Sequence, residues 1–392
     1  MRLLALLVLL RACAPVGADD SNSAVALALI ELKIAYQREA SAPRFNASNN
    51  SDTETRRKRL DELFALGAPY CQKALELAEN NPRDPASFEA LSWIVSGPFA
   101  YTKSASAIDS AFELLTIRYA TDRRAGTICE QIGRHRLSSP APLEFLRTAT
   151  ERNPSHTIRG QAMLLQGDLL MEYARIARQL RNPAPSTEQN ANDGIGPTLR
   201  AQLLASPPDD FEALAAGPYQ RVLREFAGVK ALGDQTIGEI ARGRLFRLKE
   251  LNVGKKVPNL DGHEINGKPL ALNDYRGKVI VLIFWAGWWA PSIETAAKGD
   301  QLLKRFDDKR VAVVGVNGDD SPRAAERVVE RDKISWPSFF DGKRGRGSIA
   351  TNWGISTWPT IFVIDAEGII RHIGNDSAKL DEIIDGLLNK AK

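Results

Sequence analysis

Apolar residues recur at spacings of three and four from Ser23 to about Leu251, and they rarely alternate there. That spacing lays one apolar stripe along a helix. It predicts helices over Ala24–Gln37, Arg59–Glu79, Pro85–Ile94, Ala105–Ala120, Pro142–Glu151, Thr157–Leu180, Asp209–Phe226 and Gln235–Leu251. Several have start signals: Asp84 before Pro85, Ser139 before Pro140, and Ser155 before the helix at Thr157. From Val253 the pattern changes to short apolar runs between polar turns. Val279–Trp285 is apolar throughout, as expected of a strand covered by helices on both faces. Val311–Asn317 reads as the next parallel strand, Gly368–Gly374 as an antiparallel edge, and Leu380–Lys390 returns to helical spacing.

Two polar stretches interrupt the helical part. Ser41–Thr55 is rich in Asn and Ser, and Asn182–Pro197 has no apolar face; both read as exposed loops. Short helical units in series suggest an α-repeat array, but no residue period emerges, so the reading is an irregular helical domain. The junction to the last third, from the helix ending near Leu251 to Gly254–Pro258, is short. The last helix is therefore expected to dock on or beside the following domain.

Residues Phe284-Trp285-Ala286-Gly287-Trp288-Trp289-Ala290-Pro291-Ser292 follow the first buried strand. They resemble the active-site segment of secreted thioredoxin-fold thiol–disulfide oxidoreductases of the TlpA/ResA-like group, in which an apolar strand runs into Phe-Trp-Ala-x-Trp-Cys-x-Pro-Cys. Other segments extend the resemblance over Val253–Lys392. Asp261–Lys268 is similar to the opening β-hairpin, and Leu272-Asn273-Asp274-Tyr275-Arg276-Gly277-Lys278 to the approach to the central strand. Trp358-Pro359-Thr360 is similar to the cis-proline loop. The resemblance implies a fold class of α plus α/β. A signal peptide (1–18) precedes an α-helical domain (19–251) and a thioredoxin-like domain (252–392) with a central mixed sheet flanked by helices.

The chemistry implied by that resemblance is missing its reagents. Trp289 and Ser292 occupy the two cysteine positions, and Val253–Lys392 contains no cysteine. Disulfide exchange needs a thiolate to attack and a second thiol to resolve. Ile283 stands where many thioredoxins carry a buried acid. Ser292 could act only beside a base. The histidines, His135, His156, His263 and His372, show no triad or metal-ligand spacing to it. A hydroxyl in the first turn of a helix, where N-caps are favoured, is the reading given to Ser292. No cofactor or metal is expected.

Six of the seven tryptophans lie in the last third. By the resemblance, Trp285 is core, while Trp288, Trp289 and Trp358 surround the old active site with Pro291 and the presumed cis-Pro359. An aromatic cluster there would bind an extended polypeptide or a partner protein. Alternatively Trp289 folds inward and plugs the space of the lost dithiol. The charge supports no nucleic-acid role: Val253–Lys392 has 21 Lys and Arg against 19 Asp and Glu. The densest basic run, Lys343-Arg344-Gly345-Arg346, reads as a surface loop rather than a phosphate cradle. Asp319-Asp320 before Ser321-Pro322 reads as acids at the positive end of a helix.

Met1–Ala18 has the positive start, apolar core and small-residue end of a signal peptide, predicting export with cleavage before Asp19. Leu10-Arg11-Ala12-Cys13 resembles a lipobox, the alternative being a lipid anchor on Cys13 of a cell-envelope lipoprotein. No run has the length of a transmembrane helix. In an exported, periplasmic or extracellular chain Cys71 and Cys129 are candidates for a disulfide, or else two buried thiols acting as small apolar side chains. Three functions stay open: a polypeptide-binding module, a thiol–disulfide oxidoreductase, and a structural domain presenting the helical array.

Overall fold

The computed structural model describes residues 23–42, 53–96, 105–134, 139–181, 195–231, 235–306 and 310–390. The signal-peptide and lipobox readings, His135 and most of both polar interruptions lie outside them. Contacts divide the chain into two compact units, the first ending at Phe211 and the second beginning at Glu212.

The first unit is helical: α1 (Ala24–Ala40), α2 (Thr53–Asn80), α3 (Ala86–Ile94), α4 (Ala105–Tyr119), α5 (Ala125–Arg134), α6 (Ala141–Arg152), α7 (His156–Arg181) and α8 (Pro197–Ala205). The expected start signals work as hydrogen-bond acceptors. Asp84 Oδ1 takes the Ala86 N–H at 2.8 Å, Ser139 Oγ that of Ala141 at 3.0 Å, and Ser155 Oγ that of Ile158 at 3.3 Å. Leu91, Ile94, Leu115, Ile128, Phe145 and Leu146 are fully buried and form the packed interior. Helix α8 was not expected, whereas α5 is the helix in which Cys129 was placed. The nine residues of α8 carry no clear apolar stripe, and such a helix is held by tertiary packing more than by propensity. Cys71 on α2 and Cys129 on α5 are present as buried thiols, and burial pushes the Cys129 thiol up to about 12.

In the second unit α9 (Pro208–Arg221), which spans the division, continues into a π-helical turn at Val222–Phe226. Helix α10 (Ile237–Glu250) opens on a capping box between Thr236 and Glu239. A hairpin of β1 (Asp261–His263) and β2 (Pro269–Ala271) precedes the main sheet. That sheet has the order β5-β4-β3-β6-β7, built from β3 (Val279–Trp285), β4 (Val311–Asn317), β5 (Ser338–Phe340), β6 (Thr360–Ile364) and β7 (Ile370–Gly374). Strands β3, β4 and β5 run parallel, while β6 and β7 are antiparallel to their neighbours. The remaining helices are α11 (Ala290–Arg305), α12 (Pro322–Asp332), α13 (Ser348–Asn352) and α14 (Leu380–Lys390). This is the thioredoxin fold expected of the last third. β5 was not anticipated, because three residues carry no readable alternation.

Strand β3 shows why its sequence is apolar throughout. Ile280, Leu282 and Phe284 belong to one core, with Phe339, Trp353 and Phe362. Val279, Val281, Ile283 and Trp285 belong to the other, with Val313, Trp336 and Val363. Successive side chains enter opposite layers, and both layers are buried.

The compact unit starts well before the boundary expected at 252, because α10 is packed into it. A Cβ at Gly243 would lie 1.8 Å from the Thr351 carbonyl oxygen, so the two backbones touch. Arg244 Nη1 donates to the Gly354 carbonyl at 2.7 Å. The docking predicted for the last helix is thus backbone against backbone.

Candidate functional site

Strands β3 and β4 end side by side, Trp285 opposite Asn317, and their following loops meet at the carboxyl edge of the sheet. Crevices beyond this edge are the usual ligand positions in parallel sheets. Gly287 donates its N–H to both carboxylate oxygens of Asp319, at 2.9 and 3.1 Å. Asn317 Nδ2 donates to the same carboxylate at 2.9 Å, and the Asp319 N–H returns to Asn317 Oδ1 at 3.0 Å. Asp319 is buried, so its carboxylate is spent on fixing the Gly287 loop. The helix start read at Asp319–Pro322 is present, with Ser321 capping α12 by accepting from the Ala324 N–H at 3.2 Å, while the Asp319 carboxylate turns to Gly287. Gly287 is required here, since a Cβ would sit 2.4 Å from Val328 Cγ2.

The loop delivers the chain into α11 with Trp289 as the N-cap residue. Trp289 is 46% exposed. The plug reading is therefore overturned: nearly half of the indole surface is open to solvent. Ser292, one turn on, is fully buried, and its N–H donates to the Trp289 carbonyl at 3.0 Å. Its Oγ has no hydrogen-bond partner among the described residues. That corrects the capping role expected of Ser292, because the hydroxyl faces inward from the helix and meets no backbone N–H. Among the described residues no base is hydrogen-bonded to it. Ile283 is buried in the apolar core and brings no titrating group to the site.

The Trp358–Pro359 bond is cis, and Pro359 is buried. Trp358 is half-buried. Its ring lies over two glycines: a Cβ at Gly318 would be 2.6 Å from it, and one at Gly345 2.9 Å. Trp288, 39% exposed, has its ring centroid 6.3 Å from that of Trp358, and its Nε1 donates to the Gly318 carbonyl at 3.4 Å. Trp288, Trp358 and Pro359 are thus brought together, as expected. Trp289 makes no ring contact with either tryptophan among the described residues, and Pro291 is exposed beside it.

The main chain next to cis-Pro359 is open. Thr360 Oγ1 donates to the Thr357 carbonyl at 2.6 Å, but the N–H groups of Thr357 and Trp358 donate to nothing among the described residues. Beside Trp288 an open cleft of 760 Å³ is lined by Gly287, Trp288, Asp319, Asp320, Arg327 and Val328, among others.

Sequence reasoning missed Asp319 as the anchor of the loop and Arg344 as a neighbour of the aromatic site. The Arg344 guanidinium lies 5.6 Å from the Trp288 ring centroid. His372 lies on the edge strand β7, as expected, where burial lowers its pKa. Among the described residues no group of three or more His, Cys, Asp or Glu is placed to hold a metal ion. Among them, too, no helix is long and apolar enough to cross a membrane.

Residues 253–373 match the AhpC/TSA family. The thiol-disulfide oxidoreductase ResA of Bacillus thuringiensis subsp. konkukian is 27% identical over 139 residues, covering 35% of this chain and 79% of the relative. The thioredoxin-like protein YneN of Bacillus subtilis is 27% identical over 141 residues, covering 34% of this chain and 80% of that protein. Among solved structures, a thiol:disulfide interchange protein of the thioredoxin family from Chlorobium tepidum is 26% identical. It covers 34% of this chain and 95% of its own, with a TM-score of 0.30. The last third of this chain is a thioredoxin-fold domain with ResA-like relatives.

Proposed function

We propose that this domain no longer exchanges disulfides and instead holds an extended polypeptide across the aromatic site, in a protein exported from the cytoplasm. The observation that carries the reading is the pair of redox positions. An exposed indole stands where a thiolate would attack, and a buried hydroxyl without a base stands where a second thiol would resolve. Neither group can accept or pass on the sulfur–sulfur bond. What remains of the site suits docking. The open N–H groups of Thr357 and Trp358 support strand-like pairing with an extended chain, and Trp288 and Trp358 supply apolar area at its side. Export rests on the signal-peptide pattern of Met1–Ala18.

The test pairs an activity with a binding measurement. The mature chain should reduce insulin no faster than the buffer control. It should also bind an unfolded, carbamidomethylated ribonuclease, read by quenching of tryptophan fluorescence. Trp358→Ala and Trp288→Ala should each weaken that binding roughly tenfold or more, as expected for interface tryptophans worth about 2 kcal/mol. Disulfide turnover that survives replacement of Cys71 and Cys129 would return the domain to the oxidoreductases. N-terminal sequencing should begin at Asp19; a diacylglyceryl group on Cys13 would make the protein a lipoprotein.

A further inference from the structure

The basic run Lys343-Arg344-Gly345-Arg346 forms the turn between β5 and α13, at the edge of the aromatic site. Four successive residues there have positive φ: Gly342 at 72°, Lys343 at 53°, Arg344 at 51° and Gly345 at 74°. A left-handed backbone is disfavoured for residues with a Cβ, and two in a row persist only where the surroundings hold them. They are held by the same end of β4 that carries Asp319. The Asp341 N–H donates to the Asn317 carbonyl at 2.9 Å and the Gly345 N–H to the Gly318 carbonyl at 2.8 Å. Trp358 covers Gly345 so closely that no Cβ would fit.

The consequence is a run of cations carried on a turn held at the edge of the site. Lys343, Arg344 and Arg346 are all exposed. Arg344 sits over the Trp288 ring, and its Nη1 lies 3.4 Å from Asp320, the one carboxylate ion-paired with the run among the described residues. Arg327 lines the cleft beside Trp288 and has no ion-pair partner among the described residues. The other acids of that cleft are Asp319, already committed to Gly287 and Asn317, and Glu330. Among the described residues Lys343, Arg346 and Arg327 are cations without an ion-pair partner, against Glu330 as the acid not tied to a backbone N–H or an arginine, although the domain as a whole is nearly balanced.

We propose that the polypeptide taken by this site is an acidic one, with carboxylate and apolar side chains alternating along an extended strand. Every second side chain of a strand faces the same way. Paired with the open N–H groups of Thr357 and Trp358, such a strand turns apolar residues to Trp358 and carboxylates to Arg344, which lies over Trp288, and to Arg346 and Arg327. The proposal rests on the polypeptide-binding reading above and adds the chemistry of the partner. Arginine beside exposed tryptophan also suits single-stranded nucleic acid. The unpaired main-chain donors favour a strand of polypeptide.

The experiment uses the mature chain and three twelve-residue peptides that differ only in whether valine alternates with glutamate, threonine or lysine. Binding is read by tryptophan fluorescence at low salt and in 0.5 M sodium chloride. The glutamate peptide should bind at least tenfold tighter than the threonine peptide, and the lysine peptide weakest. High salt should close the gap. Arg344→Gln should shrink the preference for glutamate, and Arg344→Glu with Arg346→Glu should reverse it. Circular dichroism checks that both variants stay folded, with Arg327→Glu as an independent third variant expected to shift preference the same way. Equal binding of the glutamate and threonine peptides would overturn the acidic partner while leaving polypeptide binding intact. Failure of all three to bind would overturn both. Tighter binding of a twelve-nucleotide oligothymidylate than of the glutamate peptide would overturn the proposal in favour of nucleic acid.

Discussion

Replacing Trp289 and Ser292 together by cysteine should create a disulfide that forms readily in the folded protein. Positions three apart on an α-helix have Cα atoms about 5 Å apart. The 3.0 Å bond from the Ser292 N–H to the Trp289 carbonyl shows that this turn is closed here. Disulfides accept Cα separations of about 4.4–6.8 Å. One partner would be exposed and the other buried, as Trp289 and Ser292 are now. Closing a loop of four residues restrains the unfolded chain by about 2 kcal/mol. Against this, removing a half-exposed indole forfeits roughly 100 Å² of burial, at most about 2.5 kcal/mol. The oxidised double variant should thus melt close to the natural protein, and roughly 4–8 °C above its own reduced form. Intact mass with and without reductant reports loss of two hydrogen atoms, thermal melts report the shift, and insulin reduction reports whether exchange returns. A folded double variant that stays reduced in oxidised glutathione would show that the loop has left the geometry argued for it.

Trp285 and Trp289 should behave oppositely under truncation: Trp285→Ala should cost about 3–5 kcal/mol in a denaturant titration, and Trp289→Ala clearly less. A loss above about 4 kcal/mol for Trp289→Ala would mean the indole is packed after all. Arg124 hydrogen-bonded to Asp122 holds that carboxyl below its usual range. Its contribution is present above the unfolded value of about 3.9 and lost as pH falls through the folded one, so Asp122→Asn should flatten the acid limb of a stability–pH curve. Burial raises the Cys129 thiol from 9.0 to about 12, so the folded state favours the neutral form. Its stabilisation should be complete below pH 9 and lost towards pH 12, and iodoacetamide at pH 8 should label Cys129 only on unfolding; rapid native labelling would contradict the burial.

The parts of the fold that could be read from sequence are those with a local cause. Val279–Trp285 announced a doubly covered strand because both of its faces are apolar, and Trp358-Pro359 marked its loop by residue type alone. Strand β5 stayed invisible because three residues hold no alternation, and helix α8 because its apolar residues form no clear stripe. At the site, the absence of cysteine at Trp289 and Ser292 was legible, but the directions of side chains were not. Asp319 looked like a helix acid because its real donor, Gly287, is 32 positions away. Whether Trp289 faced in or out depended on what lay beneath it. The run at Lys343 showed its charge but not its neighbours, which arrive from β4 and from the cis-proline loop.

The contact of Gly243 with the Thr351 carbonyl also bears on how such a chain could be inherited in pieces. The family match begins at residue 253, yet the backbone of the unit is already engaged ten positions earlier, at Gly243. A recombination that joined a foreign partner at residue 252 would leave the α13 turn facing a helix with no matching glycine. Any side chain there would strike Thr351. Gene fusions that keep this domain working should therefore carry α10 along with it, and the heritable module is longer than the stretch by which its kinship is recognised.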